Sequence, residues 1–284
     1  MAKDKRMVID IEGLEKSYGT FKLNIPRLKI REGEFVGLVG ENGAGKTTLI
    51  KLIMNLVKKD KGQIKIFGKE SFSYELKKDI GVVFDKDSFS GLLTVREIAK
   101  ILKYMYKDKW NQELFFKKIN KYQLPIDKPT KSFSTGMKAK LNLFKTFAYL
   151  PKLMILDEST SNLDPIVRRE INNELKSFCK ETFSTIIFSS HLVTELEDLS
   201  DRMILIDEGE IELDVGKEDV KNYYIIDLND KSKHKSEIIA IKEESEKKLA
   251  LSYLPSNSTD MFYRNNNIRV EDIMYFLKKG ERIQ

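Results

Sequence analysis

The sequence predicts an α/β fold built on a central sheet of buried strands, and three stretches carry that expectation. Phe35–Val39 is a short apolar run that opens onto a glycine-rich loop and then an apolar helical segment from Thr48 to Val57. Leu153–Leu156 is a second such run and ends in Asp157 and Glu158; Ser184–Ser190, apolar at Ile186, Ile187 and Phe188, reads as a third strand and delivers His191. Runs of this length suit strands buried on both faces, and open α/β sheets bind ligands outside the carboxyl ends of their strands. The three strand ends are therefore expected to share one site.

The loop from Gly40 to Lys46 followed by Thr47 matches G-x-x-x-x-G-K-[ST]. Gly43 and Gly45 let the backbone wrap with its N–H groups inward, and the helix behind adds the positive end of its dipole, an arrangement suited to a polyphosphate. Lys46 is expected to reach the β- and γ-phosphates, and Thr47 to place a hydroxyl on Mg²⁺. Two adjacent acids at the end of a buried strand are costly unless a cation uses them. Asp157 therefore suits a Mg²⁺ shell, and Glu158 the polarisation of an attacking water. His191 leaves a central strand on the same edge.

The remaining elements follow in order. Val8–Ile11 and Phe21–Ile25 alternate apolar and polar residues, as half-exposed strands do. Tyr18 lies between them, placed either to stack on a base or simply to pack. Gln63–Gly68 reads as an edge strand and Ile80–Phe84 as a short buried strand ending at Asp85. A helical insert begins at Ser88: Thr94 and Glu97 form a capping box, followed by Ile98, Ile101, Leu102 and Met105 at helical spacing. Its aromatic residues Tyr104, Tyr106, Trp110, Phe115 and Phe116 suit a small satellite core or a groove for a partner. Ser134 or Thr135 is placed to cap a helix bearing Leu141, Phe144 and Phe147, leaving N–H groups for a second anion site. Asp164-Pro165 has the N-cap and N1 preferences of a helix start. Met203–Ile206 and Ile211–Leu213 flank Glu208-Gly209 as a hairpin.

Composition narrows the function classes. The 284 residues, 41% of them hydrophobic, allow a large domain with a smaller second one. The net charge of +6 is dispersed among acids, whereas nucleic-acid binding would favour a concentrated basic stripe. No apolar run approaches the ~18 residues of a membrane span. The start, Met1-Ala2-Lys3-Asp4-Lys5-Arg6, lacks the apolar core of a signal peptide. With Cys179 as the single cysteine, the expected location is the cytoplasm.

Phosphate loop, acidic strand and terminal histidine stand in one order, and together with Ser134-Thr135-Gly136 they resemble the ATP-binding-cassette (ABC) ATPase family over Met7 to about Gly216. The resemblance implies a P-loop ATPase fold: a RecA-like parallel core, an antiparallel β subdomain and a helical insert, with the ATPase domain at 1–220 and its insert at about 88–150. Residues 221–284 resemble the small α/β appendage of exporter-type cassettes. Tyr18 resembles the adenine-stacking residue, and Gly40, Glu41, Asn42, Gly43, Ala44, Gly45, Lys46, Thr47 and Thr48 the Walker A loop. Asp157 and Glu158 resemble Walker B with its catalytic glutamate, and His191 the switch histidine. Ser134, Thr135 and Gly136 occupy the signature segment, usually S-G-G-Q, and Asp164 the D-loop, both acting on nucleotide held by a second copy.

One departure concerns Asp85, which stands where the family places a glutamine. A carboxylate still ligates Mg²⁺, but its charge would slow hydrolysis, and strong slowing would leave an ATP-gated switch. The resemblance otherwise implies a Mg-dependent ATPase that uses ATP and Mg²⁺ and closes as a homodimer or heterodimer. It would dock on a separate transmembrane permease subunit at the cytoplasmic face of the membrane and power transport, with export favoured by the loose signature.

Overall fold

The computed structural model describes residues 6–70, 74–84, 89–228, 237–244, 247–253 and 268–282. Asp85 and Ser88 lie outside the described residues.

The chain opens with an antiparallel hairpin, β1 (Met7–Tyr18) and β2 (Phe21–Arg31). The predicted alternation is present, and both strands run further than it suggested because the pattern continues through Leu14, Leu28 and Ile30, all buried. After β3 (Phe35–Val39) and α1 (Lys46–Ile53), β4 (Lys61–Ile66) pairs with β1 and completes a three-stranded sheet ordered β2-β1-β4. The short α2 (Tyr74–Lys77) leads to β5 (Ile80–Phe84).

Three helices follow: α3 (Val95–Tyr106), α4 (Gln112–Lys121) and α5 (Thr135–Phe147). The capping box forms, with the Thr94 amide donating to the Glu97 carboxylate at 2.9 Å and the Glu97 amide to Thr94 Oγ1 at 3.2 Å. Only part of the expected apolar face of α3 is buried: Val95, Ile98 and Leu102 turn inward, whereas Ile101 and Met105 are exposed. The aromatic residues divide in the same way. Trp110 and Phe115 are buried against each other, and Tyr106 stacks on Tyr149 with ring centres 4.0 Å apart, but Tyr104 is 83% exposed.

The main sheet is completed by β6 (Leu153–Asp157), α6 (Pro165–Thr182), β7 (Thr185–Ser190), α7 (Val193–Leu199), β8 (Arg202–Asp207) and β9 (Glu210–Gly216). Its order is β5-β6-β7-β3-β8-β9, parallel throughout except for the β8–β9 hairpin. Successive side chains of a strand face opposite ways. Thus β3 sends Val36 and Leu38 toward the three-stranded sheet and α1, and Phe35 and Val39 toward the helical side. Burial on both faces explains why β3 and β6 are apolar runs without alternation and why the centre of β7, Ile186–Phe188, is apolar as well.

The C-terminal part is a four-stranded antiparallel sheet backed by a helix: β10 (Tyr223–Asp227), β11 (Glu237–Glu244), β12 (Lys247–Tyr253), α8 (Val270–Lys279) and β13 (Glu281–Arg282), in the order β10-β12-β11-β13. The sequence pattern marks β10 and α8 but presents the ground between them as a charged segment. Strands β11 and β12 are legible only in the short apolar groups around Ala240 and Leu251, which are buried. Ala240, Leu251, Ile273 and Phe276 belong to the same buried cluster as the helical face of the main sheet.

Candidate functional site

The sheet order builds the site. β7 lies between β6 and β3, with Ser189 opposite Asp157 and Ser190 opposite Val39. The ends of the three strands therefore sit side by side, and Gly40, Asp157-Glu158 and His191 leave the sheet at one edge, as the sequence predicted.

The glycine loop is held by close packing. A Cβ at Gly40 would lie 2.3 Å from the Ile206 carbonyl oxygen, so the backbone approach there requires glycine. Gly45, at φ 116°, is the N-cap of α1, and an added Cβ would meet Leu23 at 2.9 Å and Phe21 at 3.2 Å. Phe21 pairs with Tyr18 across the turn of the β1–β2 hairpin. Tyr18 itself is half-exposed, with the Lys16 ammonium 5.1 Å from its ring centre. On the other side the Gly209 amide donates to the Ala44 carbonyl at 2.9 Å. Asn42 and Gly43 are exposed, and Thr48 is half-buried in the first turn of α1.

Lys46 is buried to 3% exposure, and its ammonium group is fully engaged. It donates to the carbonyls of Gly40 at 2.7 Å and Glu41 at 3.0 Å and lies 3.6 Å from Glu158 Oε1. The Thr47 hydroxyl donates to Asp157 Oδ1 at 3.3 Å. A hydroxyl and a carboxylate facing one space are the hard oxygen donors that Mg²⁺ takes, usually through one or two carboxylates with substrate phosphates supplying the rest. Among the described residues no group of three or more His, Cys, Asp or Glu gathers as a protein-only metal cage.

Glu158 stands just beyond β6 with φ 47°, a left-handed conformation that is costly for a residue other than glycine. Ser189 holds the junction, a role the sequence did not reveal. Its hydroxyl donates to Asp157 Oδ1 at 2.7 Å and accepts from the Glu158 amide at 3.1 Å. A second unforeseen group is Glu195, a buried carboxylate on α7. It accepts from Thr160 Oγ1 and Ser190 Oγ, each at 3.2 Å, and from Asn172 Nδ2 at 2.9 Å. It thereby ties the segment after Glu158 to the residue before His191. Serines at strand ends and a Glu four residues past a histidine carry no motif of their own, so spacing did not single them out.

Ser134 caps α5, its hydroxyl accepting from the Met137 amide at 3.3 Å, and Thr135 begins the helix. Gly136 faces Val167 of α6, where a Cβ would sit 3.0 Å from a methyl group. Asp164 caps α6 through the amides of Ile166 and Val167. None of the described contacts joins Ser134, Thr135, Gly136 or Asp164 to the glycine loop of the same chain.

Charge around the loop includes the C-terminal helix. Lys278 of α8 lies 2.7 Å from Glu41 Oε1 and 3.5 Å from Asp207 Oδ1. The hydrogen bond from Lys278 holds the Glu41 carboxyl below its ordinary range. Burial works to lower the pKa of Lys278, but Glu41 and Asp207 outweigh it and hold the ammonium group above its usual value.

Comparison with known proteins settles the family. Over 237 residues the chain is 35% identical to the bacitracin transport ATP-binding protein BcrA of Bacillus licheniformis, covering 80% of this chain and 76% of that protein. The chain belongs to the ABC transporter family, among its ATP-binding subunits. The family model described as ABC transporter matches residues 23–161. A lantibiotic transport ATP-binding protein, SrtF of Streptococcus pyogenes, is 37% identical over 73% of this chain and 90% of its own length. The solved structure of cbiO1 from Clostridium perfringens, part of the ABC transporter complex cbiONQ, superposes with a TM-score of 0.63 at 26% identity, covering 76% of this chain and 91% of that one. An ATP-binding subunit of an ABC transporter superposes with a TM-score of 0.65 at 21% identity, over 75% and 92% of the two chains, and shares the fold. Among the described residues of this ABC subunit, no helix is long and apolar enough to cross a membrane.

Proposed function

We propose that this subunit binds and hydrolyses Mg-ATP and uses the cycle to power a membrane exporter. The observation that carries the reading is the convergence of Lys46, Thr47, Asp157 and Glu158 within hydrogen-bond or ion-pair reach of one another at a single sheet edge. The exporter assignment draws on the relatives named for transport of bacitracin and lantibiotics.

In this mechanism the loop amides from Gly40 to Thr48 cradle the phosphates, and Tyr18 stacks on the base. Lys46 exchanges its loop carbonyls and Glu158 for phosphate oxygens, which frees the Glu158 carboxylate to take a proton from the attacking water. Thr47 and Asp157 would hold Mg²⁺, which would neutralise charge on the phosphates. His191, leaving the neighbouring strand, contacts the outermost phosphate. Ser134, Thr135, Gly136 and Asp164 of one copy complete the site of a second cassette in a homodimer or heterodimer. Closure would assemble the nucleotide site and hydrolysis would reopen it. A separate transmembrane permease subunit holds the dimer at the cytoplasmic face of the membrane, with Tyr104 and Met105 of α3 in the contact. Residues 1–220 form the ATPase domain and 221–284 its extension.

The test is Glu158→Gln in the full chain. ATP binding is expected to persist while hydrolysis falls at least ~100-fold, the scale for loss of a general base. Hydrolysis surviving at near the wild-type rate would remove Glu158 from that role. The rival reading, a switch with little hydrolysis, rests on Asp85; a slow wild-type rate that rises in Asp85→Gln would favour it.

A further inference from the structure

The C-terminal helix reaches the nucleotide loop through one side chain. Lys278 Nζ contacts Glu41 Oε1 at 2.7 Å, while the carbonyl of the same Glu41 accepts from Lys46 Nζ at 3.0 Å. Glu41 therefore links the appendage to the lysine aimed at phosphate. Asp207, the second carboxylate on Lys278, ends β8 just before Gly209, whose amide holds the Ala44 carbonyl. The Gly209 amide grips the loop from the β8–β9 side, and Lys278 ties Glu41 of the loop to the end of the same strand β8.

Lys278 is well placed to act as a fixed charge. Its side chain is only 20% exposed, although Glu41 is 76% exposed. The helix that carries it is anchored at both ends: the Val270 amide donates to Glu197 of α7, and Arg282, just past the helix, pairs with Glu212 of β9. An isolated exposed ion pair contributes little. Here one ammonium group bridges a carboxylate within a loop built for a polyanion and another at the end of β8, and both would repel phosphate if left unpaired.

We propose that Lys278 is a positioning residue for nucleotide binding: through Glu41 it holds the glycine loop in the conformation from which Lys46 engages phosphate, and it offsets the negative charge of Glu41 and Asp207. The C-terminal appendage is then part of the ATP site's affinity. The inference rests on nucleotide binding at the loop but not on hydrolysis.

The experiment measures the dissociation constant of fluorescent trinitrophenyl-ATP on the full chain, with thermal melting as a check on folding. Lys278→Gln keeps most of the aliphatic stem and removes the charge. It is expected to weaken binding about three- to tenfold at low salt, the scale of one unscreened charge near a polyanion. The loss should shrink below twofold at about 0.5 M salt, where screening is short-ranged, and Lys278→Arg should stay within twofold of wild type. In a Glu41→Gln background, adding Lys278→Gln should cost less than half its original fold-change.

Unchanged affinity in Lys278→Gln overturns the proposal. An equal, salt-insensitive loss with and without Glu41 also overturns it, because packing rather than the Glu41 link would then be responsible. If the folded wild-type chain binds no nucleotide, the loop reading itself fails, a result separable from either of these.

Discussion

Replacing Ser189 with alanine removes one oxygen that serves both acids of the site. In the structure that hydroxyl donates to Asp157 Oδ1 at 2.7 Å and accepts from the Glu158 amide at 3.1 Å. The amide keeps an alternative acceptor, the Ser189 carbonyl at 3.2 Å, so its loss is small. Asp157 Oδ1 retains only the longer bond from Thr47 at 3.3 Å. The main loss is thus one hydrogen bond to a charged acceptor, worth about 1.5–3 kcal/mol. If the full ~2 kcal/mol appears in the barrier, the hydrolysis rate falls roughly 30-fold, at 1.36 kcal/mol per factor of ten. The same loss lowers the melting temperature by about 4–8 °C for a domain of this size. Steady-state ATPase assays and thermal melting of Ser189→Ala against wild type read both quantities. A rate within twofold of wild type together with a melting temperature within about one degree would refute the idea that Ser189 fixes the two acids.

Two further outcomes follow from other contacts. Gly40→Ala places a Cβ 2.3 Å from the Ile206 carbonyl, so the loop must shift; ATP affinity measured by titration calorimetry should fall at least ~10-fold, and retained affinity would show that the close approach is dispensable. Glu174 of α6 accepts from Lys118, Lys121 and Tyr122 at the end of the helical insert. Burial raises its pKa, but these three partners outweigh burial and hold the carboxyl below its ordinary value. A depressed folded-state pKa contributes stability above the ordinary Glu value of about 4.3, and that stability is lost as pH falls below it. The melting advantage of wild type over Glu174→Gln should therefore be steady near neutral pH and shrink below about pH 4; an advantage independent of pH would point to packing alone.

Much of the site was legible because its chemistry is local. The glycines, Lys46 and Thr47 must be contiguous to wrap one phosphate group, and Asp157-Glu158 follows directly on its strand. Likewise Thr94 with Glu97 and Asp164 with Pro165 satisfy the first amides of their own helices, so sequence neighbours suffice to predict them. The apolar face of α3 was less legible. Ile98 and Ile101 share a helical pattern, yet only Ile98 meets the core, since periodicity marks apolar positions without saying how wide a stripe the neighbours cover. In the appendage, the Lys- and Glu-rich run from 242 to 248, where β11 leads toward β12, obscured the apolar residues on either side of it.

By itself, then, the sequence determined the strand–loop–helix unit at Gly40–Thr48, the acids at 157 and 158, the histidine at 191 and the family to which they point. Each depends on residues close along the chain. Only the tertiary structure decided that β7 enters between β6 and β3, so that Ser189 clasps both acids, that Glu195 joins Thr160 to Ser190, and that Lys278 reaches back to Glu41. Those contacts join residues far apart in the chain through strand order and helix packing, and a hydrogen bond between distant residues exists only once the fold has brought its donor and acceptor within about 3 Å.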